Sequence, residues 1–145
     1  MVILPLPRRR WSWVTRAGFG IAALAVFDLG LYAYLLAQQS GPLGSDGVNS
    51  RELFVGGFVA LLGVLGFAGA WLLRPGARLL IFGFTGGAGL GLGLLGMDSI
   101  GVPLFAVFAL SLLALWNVAE RSWGPMVTGA YAAFVVILLG IGFTG

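Results

Sequence analysis

Long apolar runs dominate this chain, and they restrict its fold more than any other feature of the sequence. Only eight basic and five acidic residues interrupt them, so that 9% of the residues are charged and 59% are hydrophobic. A soluble domain normally carries about a quarter charged residues. The chain therefore has too little polar material to cover a water-facing surface, and its mean hydropathy of +1.03 predicts an outer surface that faces lipid.

The lengths of the apolar runs predict transmembrane helices. A helix of about 20 residues crosses the ~30 Å hydrocarbon core, whereas a membrane strand needs only about 10 residues of alternating polarity. The runs in this sequence have helical length and do not alternate. We predict an all-α membrane protein, a compact bundle of five transmembrane helices that forms one integral membrane domain over residues 1–145. The predicted spans are 12–37, 52–73, 79–97, 102–119 and 125–144.

Short polar segments are predicted to connect these spans. Residues 1–10 form an arm that ends in three Arg residues, and residues 38–51 combine Pro, Gly, Ser, Asp and Asn, a composition typical of loops. Pro75 is expected to end the second helix, because proline cannot continue the helical hydrogen bonding. Pro103 and Pro125 are suited to the first turn of the helices that follow them.

The distribution of Arg and Trp residues predicts a cytoplasmic amino terminus. In that orientation Arg51 is the only Arg outside, which satisfies the positive-inside rule. Tryptophan prefers the headgroup boundary, and all five Trp residues fall at the predicted cytoplasmic ends of their spans. An odd number of spans then places Gly145 outside. The residues assigned to orientation and lipid contact are Arg8, Arg9, Arg10, Arg74, Arg78, Trp11, Trp13, Trp71, Trp116 and Trp123.

The alternative for the first span is a secretory or twin-arginine signal peptide, because an Arg triplet precedes an apolar run. The run is long for such a peptide and contains Asp28. It also lacks a small-x-small cleavage site, since Leu35 stands where Ala37 would need a small neighbour. Cleavage would leave four spans.

Residue types that are absent exclude several chemistries. The chain has no Cys and no His, which removes thiolate nucleophiles and the usual ligands for zinc or haem. It also has no Lys and hence no Schiff base. We therefore expect no metal and no cofactor. We also expect no nucleic-acid partner, because the basic pI of 10.2 comes from Arg residues placed beside apolar spans. An intramembrane enzyme is disfavoured, because Asp28 and Asp98 are predicted on different helices at different depths.

Asp28 is the polar residue that stands out within a predicted span. A charged Asp at the centre of a membrane helix costs about 2.5–3.5 kcal/mol on insertion scales, so the side chain should face the bundle and be paired or protonated. Ser111 is the partner expected at its depth. The functional interpretation is a proton or cation site, and the structural interpretation is a hydrogen bond between helices.

Glycine spacing predicts close helix packing. Gly residues four positions apart share one helix face, where the absence of side chains lets a neighbouring backbone approach. The third span carries two such ridges and is predicted to be the central helix, and the second span carries Gly at three-residue steps. These surfaces are expected to serve either packing within the chain or association with another copy or subunit. The predicted packing residues are Gly83, Gly87, Gly91, Gly89, Gly93, Gly63, Gly66 and Gly69.

Two functions from different classes fit this sequence. The first is a small, non-catalytic accessory, structural or assembly subunit that packs through its Gly-rich helices, with the lipid bilayer and other membrane subunits or further copies as partners. The second is a small oligomeric transporter or channel that uses Asp28 as its proton or cation site. We expect a multi-pass protein of a bacterial plasma (inner) membrane. The exclusive use of Arg for positive charge suggests a GC-rich genome.

Overall fold

Five α-helices account for the part of the chain whose structure is described. The computed structural model describes residues 8–39, 50–71, 75–96, 101–118 and 123–144, and within these ranges the regular structure is α-helical. The prediction of an all-helical fold with five helices is confirmed. The helices are α1 (Arg8–Gln39), α2 (Ser50–Trp71), α3 (Pro75–Leu95), α4 (Gly101–Val118) and α5 (Trp123–Thr144).

Four of the helices have the length and composition needed to cross a membrane. Their qualifying segments are Trp13–Gln38, Glu52–Trp71, Gly76–Leu95 and Trp123–Phe143, whereas the apolar segment of α4, Gly101–Trp116, is shorter. The fourth predicted span is therefore a helix, but its described apolar segment is shorter than those of the other four helices.

All five helices begin before the predicted spans, and three of these starts change the interpretation of particular residues. α1 begins at Arg8, so that the Arg triplet belongs to the helix and not to a preceding arm. Pro75 begins α3 instead of ending α2, because the first turn of a helix does not use the N–H group that proline lacks. For the same reason α5 begins at Trp123 and includes Pro125 in its first turn.

The glycine-rich helix α3 lies at the centre of the bundle, as its two glycine ridges predict. It packs against α2, α4 and α5, while α1 packs against α2 and α4, and α2 also meets α5. In α3, 72% of the membrane-length segment is buried, compared with 17%, 33% and 22% in α1, α2 and α5. α2, α4 and α5 therefore surround α3, and α1 lies against α2 and α4.

Contacts between the helices establish their relative directions. α3 and α5 are parallel, since Gly83 lies against Met126 and Gly87 against Ala130. α1 and α2 are antiparallel, since Gly18 lies against Ala70 at one end and Tyr32 against Gly56 towards the other. We call the end at which α1, α3 and α5 begin the tryptophan end, and the opposite end, at which α2 and α4 begin, the far end.

Two apolar clusters fill the core between these ends. The cluster towards the tryptophan end brings together residues of α1, α3 and α4, among them Ile21, Phe82 and Val107. The cluster towards the far end draws on all five helices, with Leu62 and Leu104 fully buried in it. Asp28 lies in α1 on the far-end side of Ala25, a member of the second cluster.

Candidate functional site

One glycine ridge of α3 packs directly on the backbone of α5. A methyl group at Gly87 would lie 2.9 Å from Ala130 Cα, and one at Gly83 would collide with the Met126 carbonyl oxygen. In return, a methyl group at Gly129 would collide with the Leu80 carbonyl oxygen. The two helices therefore meet without side chains between them, a geometry that maximises van der Waals contact and is typical of helix packing in membrane proteins.

The second ridge of α3 faces α4. A methyl group at Gly89 would lie 2.8 Å from the Leu104 carbonyl oxygen, and one at Gly93 would lie 3.4 Å from the Phe105 ring. Gly91, on the first ridge, lies against Ile137 of α5. Five glycines that the sequence singles out in α3 therefore contact helices of the same chain.

The glycines of α2 are divided between two neighbours. Gly63 lies against Ala25, and a methyl group at Gly66 would lie 2.7 Å from Ile21 Cγ2, so that both face α1. Gly69 instead faces α3, where a methyl group would lie 3.2 Å from the Phe82 ring. Gly18 of α1, which the sequence did not single out, completes the closest α1–α2 approach, because a methyl group there would lie 2.7 Å from the Gly66 carbonyl oxygen.

Asp28 occupies a buried position in the seam between α1 and its neighbours. The α1 residues of this seam follow one another at alternating steps of four and three residues, which is the spacing of one helix face. Asp28 is only 1% exposed. It lies between two contacts with α2, those of Ala25 with Gly63 and of Tyr32 with Gly56. The seam residues, buried or half-buried, are Val14, Gly18, Ile21, Ala25, Asp28, Tyr32 and Leu35.

Neither carboxyl oxygen of Asp28 has a hydrogen-bond partner among the described residues. The sequence-based expectation of an Asp28–Ser111 hydrogen bond is therefore wrong. Gly20 lies against Leu110, which places Ser111 roughly level with Gly20 and about 12 Å along α1 from Asp28. The two helices differ in length, with 32 residues in α1 and 18 in α4, so the position of a residue along its own span does not fix its depth relative to the other helix.

Ser111 pairs with a residue that sequence reasoning missed. Its hydroxyl oxygen lies 2.9 Å from Thr85 Oγ1, and both side chains are fully buried. Thr85 also donates to the Phe82 carbonyl oxygen at 3.3 Å, so the Ser111 hydroxyl is the donor in the pair when that bond is made. The signal was present in the sequence, because Thr85 and Ser111 lie at similar distances from the α3–α4 turn and antiparallel neighbours at equal distances meet.

Arg78 has a structural role beyond orientation. It is 5% exposed, and its Nη2 donates to the Ala70 carbonyl oxygen in the last turn of α2 at 3.2 Å. The last carbonyl groups of a helix lack partners within the helix and carry partial negative charge, which a guanidinium group complements. Arg78 therefore joins the start of α3 to the end of α2.

The tryptophan residues share one end of the bundle. Trp13, Trp71, Trp116 and Trp123 are 60%, 67%, 88% and 67% exposed. The Arg16 guanidinium carbon lies 5.7 Å from the Trp13 ring centroid, which is within cation–π range. An open groove of about 360 Å³ separates α4 from α5 at this end, and its lining residues are Leu112, Leu115, Trp116, Trp123 and Met126.

Some predicted residues are placed only in part. Arg8, Arg9, Arg10 and Trp11 lie in the first turns of α1, and their side chains are outside the described set. Arg74 and Asp98 lie outside the described residues altogether. Within the described ranges, no group of three or more His, Cys, Asp or Glu residues is placed to hold a metal ion.

The fold and these contacts define a helical bundle with several membrane-length helices and one unpaired buried carboxyl among its described residues. Comparison of the chain with protein-family models, with curated proteins and with solved structures found no match.

Proposed function

We propose that this chain is a small polytopic membrane protein that serves as a non-catalytic accessory, structural or assembly subunit. The observation that best supports this proposal is how the bundle bonds its buried polar side chains. Of the four that are buried among the described residues, Arg78, Thr85 and Ser111 form hydrogen bonds from one helix to another. Interior polar groups of this kind hold helices together, whereas in a transporter or an enzyme they line a substrate site.

The outward faces are the surfaces left for lipid and for other subunits. The described glycine ridges of α3 are occupied by α4 and α5 of the same chain, so association with a partner uses other surfaces. Large apolar side chains line the outside of the bundle, including Val102, Tyr131 and Phe143 at 76%, 72% and 87% exposed. In a membrane these side chains contact acyl chains or the apolar helices of a partner.

The topology that accompanies this proposal has five spans, with the amino terminus in the cytoplasm and the far end outside a bacterial plasma membrane. Support comes from the Arg distribution and from the tryptophan end. The chain has no Cys, so single cysteines report sidedness cleanly. In intact cells a membrane-impermeant maleimide should label Ser50→Cys at the far end, and should label Gly124→Cys only after permeabilisation. The reverse pattern would invert the topology.

The accessory function is tested by the state of the protein in its own membrane. At native expression and in mild detergent, the chain should elute with other membrane proteins in fixed stoichiometry, at a mass well above 15.1 kDa plus the micelle. Asp28→Asn should leave that complex and its activity intact. Recovery of the wild-type chain only as a monomer would overturn the proposal.

A second candidate function is favoured by Asp28 itself. A carboxyl that is 1% exposed and has no hydrogen-bond partner among the described residues has no structural role in that arrangement, and buried acids of membrane helices commonly mark ion or proton pathways. This candidate is a small oligomeric transporter or channel in which Asp28 binds a proton or cation. Purified protein in liposomes should then show pH-dependent flux that Asp28→Asn abolishes and that Ser111→Ala, the matched buried control, retains. Flux that is unchanged in Asp28→Asn would remove this candidate.

A further inference from the structure

Among the residues that the structure describes, the polar groups on the α1 seam near Asp28 lie towards the far end. Tyr32 follows Asp28 by one helical turn on the same seam of α1. Its hydroxyl donates to the Glu52 carbonyl oxygen at 3.2 Å, and Glu52 is half-buried in the first turn of α2. Asp28, Tyr32 and Glu52 therefore form a succession of polar groups from the buried seam to the far end of the α1–α2 pair.

The other direction along the seam is apolar. Ala25 and Ile21 follow Asp28 towards the tryptophan end, and the residues packed around them include Leu62, Leu104 and Val107, none of which is more than 2% exposed. The next buried polar side chains, Thr85 and Ser111, lie about 12 Å further along the bundle. They bond to each other and not to Asp28.

Described charged side chains on α2, α3 and α4 lie towards the ends of the bundle, and none of them lies level with Asp28. The described residues of α4 include no ionisable side chain, and α3 contributes only Arg78, near the tryptophan end. On α2 the described ionisable side chain is Glu52, at the far end. A proton moves through a protein along hydrogen-bonding groups and water, and close apolar packing excludes both.

Tyr32 is half-buried at the edge of the far-end cluster, and its hydrogen bond is long. Its ring lies against Gly56, which has no side chain to fix it, at 3.6 Å from the position a Cβ would take. At 3.2 Å its O–H···O bond exceeds the usual 2.5–3.0 Å range and is correspondingly weak. On the seam, Tyr32 is the next side chain from Asp28 towards the far end.

From this arrangement we propose that Asp28 exchanges its proton with the aqueous phase at the far end only, and that Tyr32 is the positioning residue that controls the exchange. The step transfers one proton from a hydronium ion of that aqueous phase to the Asp28 carboxylate: one O–H bond of hydronium breaks, the O–H bond of the neutral acid forms, and a water molecule is left. The proposal rests on the second candidate function, in which Asp28 is an exchangeable acid, and adds the side from which it is reached.

The experiment uses the full chain in liposomes whose internal and external pH are set independently with impermeant buffers. The orientation of the inserted protein is read from Ser50→Cys labelling. Dicyclohexylcarbodiimide, which crosses bilayers and adds to protonated carboxyls in apolar surroundings, is applied briefly, and mass spectrometry quantifies the adduct on the Asp28 peptide. Asp28→Asn gives the background.

The expected result is adduct formation that rises several-fold when the far-end pH is lowered and that does not respond to pH at the tryptophan end. Tyr32→Phe should change the time that Asp28 takes to respond to a far-end pH step by several-fold. Tyr34→Phe is the matched control, because Tyr34 lies two residues away on α1 but is 60% exposed, and it should leave the response time as in the wild type.

Each other outcome overturns a distinct part of the proposal. Adduct that follows pH at the tryptophan end, or at both ends, overturns the one-sided access while Asp28 remains an exchangeable acid. Adduct that is absent, or constant at every pH, shows that Asp28 does not exchange, and then the second candidate function fails as well. Equal response times in Tyr32→Phe and Tyr34→Phe overturn the role of Tyr32.

Discussion

The α3–α4–α5 half of the bundle and the α1–α2 pair use the same packing device but treat their polar residues differently. In both, glycines bring backbones into direct contact, as at Gly87 with Ala130 and at Gly18 with Gly66. In the first half the buried hydroxyls of Thr85 and Ser111 pair with each other. In the second, the carboxyl of Asp28 is buried with no hydrogen-bond partner among the described residues.

The buried polar residues of the two regions therefore differ in their effect on the stability of the bundle. Close packing and paired hydroxyls lower the free energy of the folded state, whereas an unpaired buried carboxyl raises it. Proteins retain such groups mainly where activity depends on them. We therefore expect the α3–α4–α5 half to contribute more to the stability of the bundle, and under the second candidate function the α1–α2 pair carries the site.

The largest effect is expected at the α3–α5 contact. Gly83→Ala places a methyl group against the Met126 carbonyl oxygen, a backbone atom that moves only if the helices separate. We expect a loss of about 3 kcal/mol in the free energy of unfolding, measured by titration with sodium dodecyl sulfate and followed by circular dichroism. Gly57→Ala is the matched control, since no heavy atom lies within 4 Å of its added methyl group. If both variants lost the same free energy of unfolding, the close α3–α5 contact would not be what stabilises this half of the bundle.

A gain in stability is expected at the candidate site. Asp28→Val replaces the carboxyl with an apolar side chain of similar size, and should raise the free energy of unfolding by about 2 kcal/mol because it removes a buried polar group without a partner. The same detergent titration measures it. A loss as large as that of Gly83→Ala would show that Asp28 is bonded in the membrane, and the contrast between the two regions would disappear.

The hydroxyl pair is expected to show coupling. Thr85→Val and Ser111→Ala should each lower the free energy of unfolding by about 1 kcal/mol. The double variant should lose less than the sum, because each single change leaves the other hydroxyl unpaired. A double-mutant cycle in the same titration gives the coupling energy. Strict additivity would contradict a direct Thr85–Ser111 bond.

The smallest effect is expected at Tyr32. Tyr32→Phe removes one long hydrogen bond to the Glu52 carbonyl oxygen, and should lower the free energy of unfolding by about 0.5 kcal/mol. Its effect on the α1–α2 pair should therefore be kinetic, seen as faster hydrogen exchange of the amides near Glu52. Tyr34→Phe, on the exposed face, should leave that exchange as in the wild type, and faster exchange in both variants would show that α1 loosens as a whole.

The sequence was sufficient to predict the helices but not their mutual register. Apolar run length and proline position located five helices to within a few residues, and glycine spacing pointed to α3 as the central one. Depth was harder to predict, because the position of Asp28 relative to Ser111 depends on which residues of α1 and α4 meet. That choice is made by close contacts such as Gly20 with Leu110, which no composition or periodicity encodes.

The sequence identified Asp28 as the candidate residue, but it did not predict the contacts around that residue. A lone acid in an apolar run drew attention to Asp28, but its unpaired state follows from the packing of α1 against its neighbours. For Arg78, the positive-inside pattern accounted for the charge of the side chain. Its hydrogen bond to the Ala70 carbonyl oxygen was not anticipated. Charge counting treats each side chain separately, whereas capping of a helix end depends on where the next helix starts.

The backbone contact between α3 and α5 has a consequence for biosynthesis. The ribosome makes α5 after α3 and α4, so the ridge of Gly83 and Gly87 has no partner helix until α5 emerges. The order of synthesis therefore makes closure of the α3–α5 contact a late step of assembly.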